Sequence, residues 1–322
     1  MHIPDGFLDS KTAVATGVLA ASGLAVALRH ARLHLSPRRV PLLGLAAAFV
    51  FAAQMINFPV AGGTSGHLIG AVLAGALLGP SAAVIVISAV LIVQCLMFAD
   101  GGISALGANI FNMGLIGGVG GWAIYHGVRR AVSGLFGCVL AAAFAAWCST
   151  VLAAVACAGE LATSRTVGWS VVLPAMAGVH MLIGVGEALI TALVLVAIAR
   201  TRPDLLQSDT ADEVGRSYGT VVAYGAVIAL GLALFASPFA SKWPDGLDKT
   251  AEVLGFGEKA AGPILPSPMP EYALPGIHWT AMSTAIAGAA GTIIVFALAW
   301  LLARVLVPKV QREPAAAPRP AP

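Results

Sequence analysis

Apolar residues run along this chain in blocks too long and too unbroken for a soluble protein. Segments over 12–28, 40–57, 104–125, 132–157, 169–199, 218–235 and 279–307 are each predominantly apolar, and 67–98 is almost wholly so. About 20 such residues are needed to cross a hydrocarbon core as an α-helix. As one helix, 67–98 would reach about 48 Å, far beyond a core of about 30 Å. Gly79-Pro80-Ser81 divides it into a short third helix and a longer fourth, giving nine membrane segments. The predicted fold class is therefore an all-α polytopic membrane protein, because backbone polar groups in lipid must be satisfied within the helix.

Polar interruptions set the topology. They are the basic loop 29–39, the Gly-rich FPVAGGTSGH at 58–67 and the turn Ala99-Asp100-Gly101-Gly102. A polar stretch at 201–217, a Pro-rich loop at 236–278 and a Pro/Ala-rich, disordered tail at 308–322 follow. With the N-terminus outside, the cytoplasmic loops and tail hold four, two, three and four Lys/Arg residues, 13 of the 18 in the chain. That asymmetry predicts an outside N-terminus and a cytoplasmic C-terminus. It also explains a net charge of +3 in topological terms, without a nucleic-acid partner. The chain is 58% apolar and only 10% charged, against about 25% charged for a soluble domain. The N-terminal region lacks the positive charge of a signal peptide.

Several chemistries are absent from the sequence. No G-x-x-x-x-G-K-[ST] occurs, so the chain cannot itself be an ATPase; no H-E-x-x-H or G-x-S-x-G occurs either. Cys95, Cys138, Cys148 and Cys157 lack C-x-x-C spacing and read as small packing residues. Pairs such as Gly66/Gly70 and Gly114/Gly118 read as close helix packing. The intramembrane polar residues are few: His67, Gln94, Asn109, Asn112, His180 and Glu187. Such residues in lipid mark substrate or ion paths.

The opening residues Met1-His2-Ile3-Pro4 concentrate nitrogen donors. With a free terminus, the Met1 amine, the His2 amide and the His2 imidazole Nδ1 close a five- and a six-membered chelate ring. Three nitrogens then share a plane with one position open, an arrangement that selects Ni(II) or Cu(II), with Co(II) also accommodated. The large His2 side chain should hinder removal of Met1, and Pro4 offers no competing N–H. Capture should displace a proton and weaken as pH falls. The fourth ligand should be a histidine on the outer face, and His67, after GGTSG, fits. His30, His34 and His126 fall on the cytoplasmic side, and His278 belongs to the long loop. Taken singly, His2 reads as a solvated tail residue and His67 as a packing or capping histidine; together they complete a four-nitrogen set.

Four blocks carry a family resemblance: MHIPDGFL at 1–8, NFPVAGGTSGHLIGA at 57–71, FADGGISALGANIFNMG at 98–114 and GVHMLIGVGEALITALV at 178–194. They resemble the CbiM/NikM family, the substrate-binding components of energy-coupling-factor transporters for cobalt and nickel. The resemblance implies a seven-helix unit over 1–200 and a metal held by the Met1 amine, the His2 amide and imidazole, and His67. After a cytoplasmic linker at 201–217, residues 218–307 resemble the N-type module, two helices around an extracytoplasmic loop at 236–278. SKWPDGLD at 241–248 is similar to its PDGLE motif, with Asp248 in place of the glutamate. Within this loop, Leu247, Ala251 and Leu254 stand at helical spacing, which suggests an amphipathic segment over the metal entrance. The resemblance further implies a CbiQ/NikQ-type coupling membrane protein, a CbiO/NikO-type ATPase and a place in the bacterial inner membrane.

Around the ligands, Asn57, Thr64, Ser65, Asp100 and Asn109 are candidates to hydrogen-bond the ligand loops. His180 and Glu187, seven apart on one helix face, read either as orienters of the site or as a packing hydrogen bond. Nickel is the expected cargo and cobalt the alternative, since both share the ligand motif. An intramembrane metalloenzyme would need an open metal position and a base such as Asp5 or Asp100. A scaffold with incidental histidines is a third reading.

Overall fold

The computed structural model describes residues 1–206 and 218–307. Most of the linker expected at 201–217 and the tail at 308–322 lie outside the described residues. Among the described residues, regular secondary structure is helical apart from one small hairpin. Asp9 caps the first helix, α1 (Ser10–His34), by accepting from the Thr12 amide at 2.8 Å. Arg32 and His34 lie in its last turn, where the helix dipole favours positive charge. α2 (Val40–Gln54) leads into β1 (Phe58–Val60) and β2 (Thr64–Gly66), paired antiparallel with Pro59 opposite Ser65. Gly62 and Gly63 turn this hairpin with φ of +80° and +72°, a region closed to most side chains. The sequence reading has a Gly-rich connection here; the strands are too short to announce themselves by alternation.

α3 (Ala71–Leu78) and α4 (Pro80–Phe98) meet at Gly79, so the division at Gly79-Pro80 is where the sequence places it. α4 is the central element and packs against α1, α2, α3 and the helices that follow. α5 (Leu106–Asn109) continues through a π-helical stretch, Ile110–Gly120, into α6 (Gly121–Ala131). α7 (Gly134–Thr163) and α8 (Trp169–Thr201) lie along each other. In the second unit, α9 (Gly219–Gly231) flanks α2, the short α10 (Gly246–Leu254) sits on α8 and β2, and α11 (Thr280–Leu306) packs along α2 and α4.

Among the described residues, six helical stretches have the length and apolarity to cross a membrane: Ser10–His34, Pro80–Phe98, Gly134–Thr163, Trp169–Thr201, Gly219–Phe239 and Thr280–Leu306. The expected second, third and fifth segments fall short as single long α-helices. α2 has 15 residues and α3 only eight, or roughly 22 and 12 Å of helix, and the fifth is divided by its π-helical stretch.

α3 nevertheless joins opposite ends of the bundle. His67 lies beside Met1, whereas Ser81, just past α3, hydrogen-bonds His30 near the far end of α1 at 3.0 Å. The non-helical residues before α3 supply the missing length. Their backbone groups would be orphaned in an apolar interior, and two side chains satisfy them. The Glu187 carboxyl accepts the Ile69 amide at 2.6 Å and the Gly70 amide at 2.9 Å. Gln54 Nε2 donates to the Ile69 carbonyl at 2.9 Å. Irregular backbone at membrane depth is tolerated where protein encloses and bonds it. Glu187, read either as an orienter of the site or as a packing hydrogen bond, joins α8 to the backbone two and three residues past His67. Glu187→Ala should therefore lower the stability of the purified protein by about 3 kcal/mol, with Glu187→Gln losing less, measured as unfolding midpoints in detergent.

Candidate metal centre

The first nine residues form no helix, yet Met1, His2, Ile3, Asp5 and Phe7 are all buried. A polar-backbone segment can be buried only if its groups find partners. Asn109 grips Ile3 from both sides, accepting its amide at 2.8 Å and donating to its carbonyl at 3.1 Å. The Gly102 amide donates to the same carbonyl at 2.9 Å. A methyl group at Gly102 would collide with Asp5, so the turn after α4 can approach only as glycine. Asp5 accepts from the Ser104 amide and hydroxyl at 2.8 and 2.6 Å, and its carbonyl accepts from Ala261 at 2.7 Å. This carboxylate is a structural clamp, not the free base that a metalloenzyme would need. Phe7 packs edge-on against Phe256 of the second unit, ring centroids 5.3 Å apart.

This anchoring delivers the chain terminus to His67. The Met1 amine stands 2.9 Å from His67 Nε2, and its other partner is the Asp245 carboxylate. His67 Nδ1 faces the Leu68 carbonyl at 3.1 Å, which can only accept, so Nδ1 carries the ring proton and Nε2 presents its lone pair. The His2 and His67 rings stack with centroids 5.0 Å apart. One donor atom from each of His2, His67 and Asp245 lies within 4.8 Å of the others. Beside them is a cavity of about 10 Å³, lined by Met1, His67, Thr150, His180 and Asp245 among others. That space has room for about one water-sized species.

The electrostatics follow from burial and proximity. Burial alone would lower the pKa of the Met1 amine, but Asp245 in contact, with Asp100 and Asp248 nearby, outweighs it and raises the value. For Asp245, burial opposes ionisation, yet contact with the Met1 ammonium holds the carboxyl well below the carboxylate range. Burial also lowers His2, against the pull of Asp100.

A second set of contacts surrounds the His2 ring. Its Nδ1 lies 3.2 Å from Asp100 and its Nε2 lies 3.2 Å from Gln94 Oε1. Gln94 Nε2 donates to the Tyr272 hydroxyl at 3.2 Å, and that hydroxyl donates to Asp100 at 2.6 Å.

The remaining predicted site residues divide by what they touch. Asp100 reaches His2, and Asn109 holds the ligand segment. Thr64 and Ser65 turn their hydroxyls to the carbonyls of Pro244 and Trp243, at 3.1 and 2.7 Å, and the Asn57 carbonyl accepts from Ser241 at 2.8 Å. These three secure the loop of the second unit and not the ligands themselves. His180 directs Nδ1 to Met176 within its own helix at 2.8 Å and borders the cavity; its ring leaves no room for a side chain at Gly246. Leu247 and Ala251 on α10 are buried in the protein, so the predicted amphipathic face turns toward the site and not the lipid.

Asp245 and Tyr272 are missing from the sequence-based candidates, and Gln94 appears there only as an intramembrane polar residue. A Pro-Asp-Gly reads locally as a turn and helix cap, which Asp245 also is, accepting the Leu247 amide at 2.7 Å. Nothing local to Tyr272 connects it with a residue 270 positions earlier.

Known proteins resemble both units of the chain. Residues 2–205 match the family described as CbiM, cobalt uptake substrate-specific transmembrane region, and residues 219–308 match the PDGLE domain. A putative fused nickel transport protein NikMN of Archaeoglobus fulgidus is 39% identical over 307 residues, covering 94% of this chain and 98% of the relative. The cobalt transport protein CbiM of Geobacter sulfurreducens is 33% identical over 265 residues, covering 78% of this chain and 76% of the relative. A crystal structure of a truncated transition metal transporter is 35% identical with a TM-score of 0.57, covering 62% of this chain and 99% of that one. With these residues matched along both units, the chain belongs to the CbiM family of cobalt-uptake transmembrane components, carrying a PDGLE domain on the same polypeptide.

Proposed function

We propose that this chain is the cargo-binding subunit of an energy-coupling-factor importer, capturing Ni(II), with Co(II) the alternative cargo, at its own N-terminus. The observation that carries the reading is the 2.9 Å approach of the Met1 amine to His67 Nε2, across 66 positions of sequence. Two nitrogens each about 2.0 Å from one metal, at right angles, stand about 2.8 Å apart. The Met1 amine, the His2 amide and Nδ1, and His67 Nε2 would form the planar set. Nickel is favoured because a plane of four nitrogens suits Ni(II). The likeness to a fused nickel transport protein points the same way. Cation capture would exchange the amine's N–H contacts for bonds to metal and release protons.

The family is one of transport components, not enzymes, and Asp5 and Asp100 are engaged with Ser104 and with His2 and Tyr272. The proposed topology has nine crossings, the site outside and the C-terminus in the cytoplasm. In it α3 and its non-helical lead-in cross inside the protein, and residues 1–200 and 218–307 act as cargo-binding and auxiliary modules. A CbiQ/NikQ-type membrane protein and a CbiO/NikO-type ATPase would complete the importer. Relatives come from both archaea and bacteria, so the setting is the cell membrane of either.

Adding one residue before Met1 keeps every side chain and removes the chelating amine. It should weaken Ni(II) binding more than about 100-fold, or ~3 kcal/mol, in calorimetric titrations, as should His67→Ala. Wild-type binding by the extended protein would overturn the assignment. Asp245→Asn leaves the Met1 ammonium buried without its counter-charge. It should cost about 3 kcal/mol of stability in the metal-free protein, read from its unfolding midpoint.

A further inference from the structure

We propose that an anionic phospholipid is seated between the two units, an acyl chain in a cleft of the bundle and its phosphate at Arg39 and Arg202. The cleft has a volume of about 780 Å³. It lies at the end of the bundle away from the metal centre, along α2 from Arg39, the last turns of α3 and α8, and the first turns of α9. α9 closes on α2 at Gly225, where a Cβ would lie 2.6 Å from Leu45 Cδ2, while α8 packs on α7. The space between α8 and α9 is left to something else.

The wall specifies the occupant in three ways. Its chemistry is segregated: the body is aliphatic, with Leu45, Leu77 and Ile198 from three helices, whereas Arg39, Thr201, Arg202 and Thr220 stand at the helix ends that form the mouth. Its length fits one leaflet. From Arg39 to Val50, both lining the cleft, α2 rises about 16 Å, close to half of a hydrocarbon core of about 30 Å. Its charge fits a phosphate. Asp204 takes the Nε and Nη2 atoms of Arg202 at 2.9 and 2.7 Å, and no bond among the described residues uses Nη1. Guanidinium groups are suited to phosphate, and basic pockets between membrane helices on the cytoplasmic side hold anionic headgroups. The proposed topology puts this mouth on that side. The linker at 207–217 cannot supply the filling itself, because Val214 is its one large aliphatic residue. A lipid held there touches α2, α3 and α8 of the first unit and α9 of the second, and so joins them.

The test uses the full chain, delipidated in detergent and then given equal amounts of phosphatidylglycerol and phosphatidylcholine. Native mass spectrometry should show one phosphatidylglycerol retained per chain, preferred by roughly 10-fold. The unfolding midpoint should rise with phosphatidylglycerol and not with phosphatidylcholine. Ala197→Phe puts a ring into the cleft and alters no charge; it should lose the retained lipid. The double variant Arg39→Gln, Arg202→Gln should keep an acyl chain in the cleft and lose the preference, with cooperative unfolding showing that it is folded. If Ala197→Phe does not fold, this double variant decides alone. Equal retention of the two lipids by the native chain, or undiminished retention by Ala197→Phe, would overturn the proposal. So would crosslinking of Ala197→Cys to the coupling membrane protein in an assembled importer that retains no lipid, since a protein helix would then own the cleft.

Discussion

The Met1 amine lies between His67 and Asp245, and this three-way contact ties together parts of the chain that share no other reason to meet. It draws in the N-terminal segment, the turn between the hairpin and α3, and the helix cap of α10. A buried ammonium is costly unless it is paired, and burial of a free terminus is costlier still without partners for the backbone behind it. The clamps on Ile3 and Asp5 meet that second requirement, so the position of the amine is set by residues that never touch it. A proton-rich nitrogen held between a lone pair and a carboxylate is electrostatically a place for a cation.

The interior of the bundle is shaped by the same demand that polar backbone be satisfied. Had α3 continued as helix back to His67, its own hydrogen bonds would have sufficed and Glu187 would have no task. The residues before it are instead irregular, and this brings His67 to the chain terminus. The side chains of Gln54 and Glu187, from two other helices, take up the exposed backbone groups. The polar residues that stand out in an apolar sequence are thus largely supports: His180 borders the cavity, Asn109 holds the ligand segment, and Glu187 holds the turn before α3.

The second unit is part of the site. Its α11 packs along α2 and α4, where Gly291 lets the Phe51 ring approach the backbone. From that base the loop before α11 returns to contribute Asp245 at the amine and Tyr272 at the His2 network. Thr64, Ser65 and Asn57 fasten the loop through its carbonyls and amides, contacts that do not depend on its side-chain identities.

Features that depend on neighbours along the chain are legible without the fold. Apolar blocks set the helices, Gly79-Pro80 set the break between α3 and α4, and Met1-His2 concentrated donors within two residues. His67 was reachable through the topology that charge asymmetry implies. Which distant groups meet at the chain terminus, and what the intramembrane polar residues do, emerges only once the chain has packed. Asp245 lies 244 positions from Met1 and looks locally like a helix cap; Gln94 and Tyr272 lie 178 apart and look like a buried amide and a loop aromatic. The short hairpin and the π-helical stretch were likewise hidden, because neither has a period distinct enough to outweigh the apolar background. Periodicity and chelate spacing are local quantities, whereas pairing of buried charge is settled only when the whole chain has packed.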